Sequence, residues 1–221
     1  MRSLIIVTLF LVSLSGCTAR FIADFEADTA GNLPDTAPDG APTDQISVLN
    51  IGSGNIAVIA SNPIDDSQSL RLSGPASADS VSNKSVYMYA EAITSNDKRL
   101  YASWNGRVNS GAGVVIRFFS GHFATLVELT FESGNIIVAG GVIGTYSSNQ
   151  VHSVFINVDP VTDAYSVSVL GEGSPSVVAS GTIPNPSDLP TGNIGLSFNL
   201  ISGGSTASYT IDRVRMSERN P

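Results

Sequence analysis

The sequence predicts an all-β chain built as a two-sheet antiparallel sandwich, and three observations carry that reading. From about residue 45 onward, apolar residues alternate with small or polar ones, the period of a strand with one buried face. Gly, Asn, Ser, Asp and Pro collect at the joints between these runs. No window of about a dozen residues holds the spacing of an amphipathic helix. Around a dozen short strands separated by turns bury their apolar faces most simply as two sheets packed together.

The chain opens on a segment of another kind. Arg2 precedes an apolar run from Leu4 to Val12, and small residues lead into Leu14-Ser15-Gly16-Cys17. Charge, apolar run and small residues follow the order of an export signal. The run is too short to span a bilayer as a helix, which needs about 20 residues. Leu14-Ser15-Gly16-Cys17 resembles the lipobox of bacterial lipoproteins. The resemblance implies that residues 1–16 are a signal peptide, an N-terminal signal helix, and that Cys17 is the lipidated first residue of the mature chain. With Thr18 rather than Asp beside Cys17, it also implies a lipid-anchored place in the cell envelope, at the outer membrane. Residues 17–20 then form a short tether that keeps the domain close to its membrane.

Removing the leader leaves 205 of the 221 residues, which suits one sandwich domain over residues 21–221. Cys17 is the single cysteine, so burial and backbone pairing hold the domain together without a disulfide. Loss of Arg2 moves the formal charge from −8 to −9. That argues against nucleic acid or anionic membrane surfaces as partners, because both reward clustered Lys and Arg. Eight acids (Asp24, Glu26, Asp28, Asp35, Asp39, Asp44, Asp65, Asp66) fall in one stretch that contains no Lys or Arg. They form either a solvated face or part of a cation site.

Taken in order, residues 28–44 are rich in Pro, Gly, Asp, Thr and Ala and read as an irregular excursion. Strands follow around Ile46 and Val48, Ile56 and Val58, Leu70 and Leu72, and Val86, Met88 and Ala90. The next centre on Val114, Ile116 and Phe118, then on Val127, Leu129 and Phe131. Val154, Ile156 and Val158 mark another, and Tyr165, Val167 and Val169 its return; Ile194 to Leu200 make a late strand. Ser133-Gly134-Asn135 breaks one hairpin, and Asp159-Pro160-Val161-Thr162-Asp163 breaks another.

Residues 151–171, Val-His-Ser-Val-Phe-Ile-Asn-Val-Asp-Pro-Val-Thr-Asp-Ala-Tyr-Ser-Val-Ser-Val-Leu-Gly, resemble the central hairpin of concanavalin A-like, laminin G-like jelly rolls. Gly192-Asn193-Ile194-Gly195-Leu196 followed by Tyr209-Thr210-Ile211-Asp212-Arg213-Val214 is similar to that family's closing strands. Asp24-Phe25-Glu26, with Gly31 and Pro34 after it, is similar to its first strand. The sequence departs at Val151, where the family usually has Trp. The resemblance implies a jelly-roll β-sandwich whose first and last strands pair. Such domains mostly bind carbohydrate, some cleave it, and many serve adhesion or structure. It further implies a structural Ca²⁺ tying the chain ends through Glu26 and Asp212, with Asp24, Asp28 and loop carbonyls completing the oxygen set.

The chemistry-bearing residues narrow this. The Glu-x-Asp-x-x-Glu spacing of the family's glycosidases is absent, and Glu128 and Glu132 straddle a strand end. Gln150-Val151-His152 resembles part of an alginate-lyase site, but its partner strands are missing, so His152 reads as a structural residue and His122 as a loop residue. There is no Gly-x-Ser-x-Gly elbow, and two His about 30 residues apart make a poor zinc set. Sugar binding needs aromatic platforms rimmed by amides and guanidinium groups. In Leu100-Tyr-Ala-Ser-Trp-Asn-Gly-Arg107, alternation sends Trp104 to the core and puts Tyr101, Asn105 and Arg107 together on the other face as a ligand surface. Tyr87, Tyr89, Arg117 and Tyr146 are looser candidates. The expected function is therefore a lipid-anchored, non-catalytic module binding a glycan or another envelope partner. The alternatives are a structural or protein-interaction lipoprotein, and a polysaccharide-degrading enzyme.

Overall fold

The computed structural model describes residues 17–35, 45–79, 81–90, 98–109, 111–121, 124–172, 176–184 and 193–219, the side chains of 17–20 and 219 excepted. The expected signal helix, residues 36–44 of the excursion, His122 and Gly192 lie outside these. Sixteen strands occur among the described residues. The first four are β1 (Cys17–Ala23), β2 (Gln45–Asn50), β3 (Asn55–Ile59) and β4 (Ser69–Ser73). Next come β5 (Ala76–Ser77), β6 (Lys84–Ala90), β7 (Arg99–Val108) and β8 (Gly113–Ser120). β9 (Ala124–Glu132), β10 (Asn135–Val138), β11 (Gly141–Thr145) and β12 (Val151–Asp159) follow. The last are β13 (Ala164–Gly171), β14 (Val177–Thr182), β15 (Ile194–Gly203) and β16 (Ser208–Arg219).

All pairings are antiparallel, and they make two sheets. One runs β14-β13-β12-β7-β16-β4-β3, with β1 also on β16; the other runs β11-β10-β9-β8-β15-β6-β2, with β5 on β15. The strands that the alternation predicts are all present, and the jelly-roll sandwich is the fold found. The short strands β5, β10, β11 and β14 exceed the expected number because their alternation is too brief to register. Ser133 and Gly134 both take positive φ, 51° and 81°, in the two-residue turn between β9 and β10, as the twist of a tight hairpin requires.

The apolar positions face each other between the sheets. Trp104 is 1 % exposed, its ring 5.4 Å from that of Phe198 and nearly perpendicular to it. Its Nε1–H donates to Tyr209 Oη at 2.8 Å, so the one polar atom of the indole is satisfied in the core. The Tyr209 ring lies across Gly106, where a Cβ would come within 2.2 Å of the hydroxyl. Any side chain at 106 would expel it.

The ends of the chain pair as expected, by a different segment. β1 runs from Cys17, and its register with β16 spans Cys17↔Arg219 to Ala23↔Val214. Residues 17–20 belong to this strand. Asp24-Phe25-Glu26 follows the strand instead of forming it, and Phe25 takes a φ of 64° in the turn, its ring buried. β16 pairs with β4 over Ser208–Ile211 and with β1 beyond Val214. It changes partner at a bulge where Arg213 has a φ of 49°.

Register also defines the outer face of the first sheet. One row crosses six strands: Val178, Ser168, Phe155, Ser103, Arg215 and Ile22. The next row runs Ser180, Ser166, Asn157, Tyr101 and Ser217.

Candidate functional site

These two rows floor a groove of about 420 Å³. Its centre is aromatic. Phe155 pairs with Ser103 and Tyr101 pairs with Asn157, so the two rings are diagonal neighbours on adjacent strands. Phe155 is 50 % exposed although its neighbours Val154 and Ile156 are core. Ser103, Asn157, Ser166, Ser168 and Ser217 surround the rings with hydroxyls and an amide, and Arg215 supplies the cation. Asn157 Oδ1 is buried beneath the groove and has no hydrogen-bond partner. Sequence reasoning singled out Tyr101 but missed Phe155, Asn157 and Arg215. The signal for Phe155 was present: it is a large apolar residue at the outward parity of β12.

Asn105 and Arg107 share the outer face with Tyr101, as alternation requires, but do different work. The Asn105 amide donates to Asp65 and its Oδ1 accepts from Ser153 Oγ at 2.8 Å. The Arg107 guanidinium donates to the backbone and side-chain oxygens of Asn62 and to Pro63 O. Both residues hold down the loop joining β3 to β4. A hollow of about 400 Å³ lies beside Asn105, lined by Asp65, Ser153 and Glu172.

Glu26 and Asp212 grip the same loop. Glu26 accepts from the Ser67 amide at 3.0 Å, the Ser67 hydroxyl and the Gln68 amide at 2.9 Å. Asp212 is 1 % exposed and accepts from the Asp65 amide at 3.2 Å, Ser69 Oγ at 2.9 Å and the Arg213 amide at 2.7 Å. Burial lifts its pKa to about 6 against the pull of those bonds, and the nearby Asp65 adds to the rise. Arg213 reaches Asp66 at 2.9 Å and Asp65 at 3.7 Å, offsetting part of the acidity. As placed, these carboxylates do not form a calcium set. Their oxygens face N–H and O–H donors, and among the described residues no three His, Cys, Asp or Glu side chains gather as ligands. A hard cation wants six to eight oxygens.

The looser candidates lie elsewhere. Tyr87 and Tyr89 are on the outer face of the second sheet, rings 6.4 Å apart and nearly parallel, with Phe119 edge-on to Tyr89 at 5.7 Å. Arg117, on that face, pairs with Glu128 at 2.7 Å. Tyr146 packs against Phe131 and His152 at the margin of the core.

No protein-family model matches the chain, and no curated protein matches it. Solved structures do. Peanut lectin with a nine-residue peptide aligns at a TM-score of 0.53 and 13 % identity, covering 79 % of this chain and 97 % of that one. The metal-free form of lectin I-B4 from Griffonia simplicifolia gives 0.55 and 10 %, covering 93 % and 100 %. Lectin I from Ulex europaeus, in complex with the methyl glycoside of α-L-fucose, gives 0.51 and 14 %, covering 80 % and 98 %. At such identities the likeness is one of fold. The chain has the concanavalin A-like jelly-roll sandwich of these lectins, and its site must be argued from its own residues.

Proposed function

We propose that this chain is a lipid-anchored, non-catalytic module of the cell envelope that binds carbohydrate in the groove of Tyr101 and Phe155. The observation that carries it is the outward pair of rings ringed by serine hydroxyls, Asn157 and Arg215, since a pyranose offers an apolar face to stack and hydroxyls to bond. Lectins that bind sugars share the fold, which supports the class of ligand. The polar residues of the otherwise apolar and aromatic lining are Ser, Asn and Arg, without a carboxylate pair of the kind that hydrolyses glycosides, which supports binding over cleavage. The lipid anchor rests on the leader and on Cys17, and outer-membrane sorting on Thr18. A second reading, docking of a protein partner, is favoured by exposed Phe155, Leu170 and Val178 on one face.

A glycan-array screen of the mature chain carrying Cys17→Ser tests the site. Tyr101→Ala or Phe155→Ala is expected to weaken binding at least tenfold, about 1.4 kcal/mol, at nearly unchanged melting temperature. An array without hits removes the carbohydrate reading and favours the protein partner. Intact mass of the membrane-extracted protein tests the anchor: a lipid adduct on Cys17 is expected, and an unmodified mature chain overturns it.

Calcium at Glu26 and Asp212 makes a separate claim. We propose it as an ion that would have to displace the Ser67, Gln68, Ser69 and Asp65 donors, and melting in EDTA and in Ca²⁺ decides it.

A further inference from the structure

We infer that the groove works at the membrane surface and takes the sugar headgroup of a glycolipid, an inference resting on the lipid anchor and carbohydrate reading above. β1 starts at Cys17 itself, so no slack lies between the acylated residue and the sheet. Ala19 pairs with Ser217 and Ile22 pairs with Arg215, and Ile22, Arg215 and Ser217 line one edge of the groove. At about 3.3 Å per residue, that edge begins about 7 Å from Cys17 along β1 and reaches about 17 Å. Tilting β1 only lowers it. The polar zone of one leaflet is about 5–8 Å deep, so this edge meets the first sugars beyond the headgroup level and not the distal part of a long polymer.

Charge sets the orientation independently. Asp24, Glu26, Asp28, Asp65 and Asp66 lie farther from Cys17, in the turn after β1 and the loop between β3 and β4, which meet beside the bulge of β16. At the Cys17 end, Lys98 pairs with Glu218 at 2.8 Å and Arg99 with Asp159 at 3.0 Å, so these two acids are each matched by a cation. An anionic bilayer repels the unmatched acids of the turn and loop, so β1 points that turn outward. Ser217, Tyr101 and Asn157 then form the membrane side of the groove, with Arg215 and Phe155 in the row above them.

Two measurements test this on the lipidated protein and its soluble form. In phosphatidylethanolamine–phosphatidylglycerol vesicles with an acceptor dye on the headgroups, a donor on Ser217→Cys is expected to transfer energy more efficiently than one on Leu33→Cys. Equal transfer, or the reverse order, overturns the inference. For the ligand, the Cys17→Ser mature chain is floated with phosphatidylcholine vesicles bearing galactosyl diacylglycerol, glucosyl diacylglycerol or lipopolysaccharide. Co-flotation with one of these is expected, at least tenfold above plain vesicles, competed by its soluble headgroup sugar and lost in Phe155→Ala. Array binding to soluble polysaccharide with no vesicle binding overturns the inference and leaves the carbohydrate reading standing; no binding to either removes both.

Discussion

His152 lies on the core face of β12, 3 % exposed, its ring 5.8 Å from that of Phe131 and 6.0 Å from that of Tyr146. Its Nδ1 has no hydrogen-bond partner, and burial holds the imidazole below its ordinary pKa against a backbone bond with Gln150. The ring is thus neutral when folded, and acid favours the unfolded chain, where it charges freely. The stability this contributes is present above the unfolded value of about 6.5 and is lost as pH falls through the lower folded value. His152→Phe keeps the aromatic packing and removes the titration. Thermal melts should show the variant within about 1.5 kcal/mol of wild type at neutral pH and gaining on it toward about pH 5. Parallel pH profiles would place the acid sensitivity elsewhere. The sequence read Trp104 correctly as core, because parity on a strand with one buried face needs only local pattern. It missed Phe155 because apolar residues usually go inward, although its place between Val154 and Ile156 marks the outward parity of β12.

The loop between β3 and β4 is the element where sequence and structure diverge most. Parity put Asn105 and Arg107 on the face of Tyr101, and they are there. What they touch is a loop about 40 residues away in sequence, and no local pattern announces that contact. Arg107→Ala is therefore expected to loosen residues 60–68, seen as faster amide exchange there and a melting temperature lower by a few degrees, about 1 kcal/mol. Glycan binding at the Tyr101 groove should survive it. Loss of binding with intact exchange protection would return Arg107 to the ligand face. Asp212 gives the loop a pH dependence of opposite sign to that of His152. Its folded pKa of about 6 exceeds the unfolded value of about 3.9, so its contribution is fullest in acid and fades as pH rises through about 6. Asp212→Ala strands one buried and two part-buried donors, and the cost should be about 1–3 kcal/mol in acid. The deficit should shrink above about pH 6, where wild type loses the same stability. A deficit that grows with pH would mean that the carboxylate is stabilised by ionisation here.

On the scale of the whole molecule, the sandwich closes its chain ends with β1 on β16 and with the hydrogen bonds that Glu26 and Asp212 make to one shared loop. A calcium tie predicts a melting temperature higher in millimolar Ca²⁺ than in EDTA, by about 2.7 kcal/mol of stability at a hundredfold excess over the dissociation constant, and abolished in Asp212→Ala. Coincident wild-type melts remove the ion and leave the hydrogen-bonded clasp as the tie. The sequence alone determined the all-β class, the nine strands marked by clear alternation, the core place of Trp104 and the outward place of Tyr101. Each follows from period-two burial or from a short motif, and such signals are written within a few residues. Only the tertiary structure decided that β1 begins at Cys17, that Asn105 and Arg107 serve a distant loop, and that Phe155 joins Tyr101 over one groove. Those facts depend on register between strands about 50 to 200 residues apart, which is set by the sum of many long-range contacts and by no single stretch of chain.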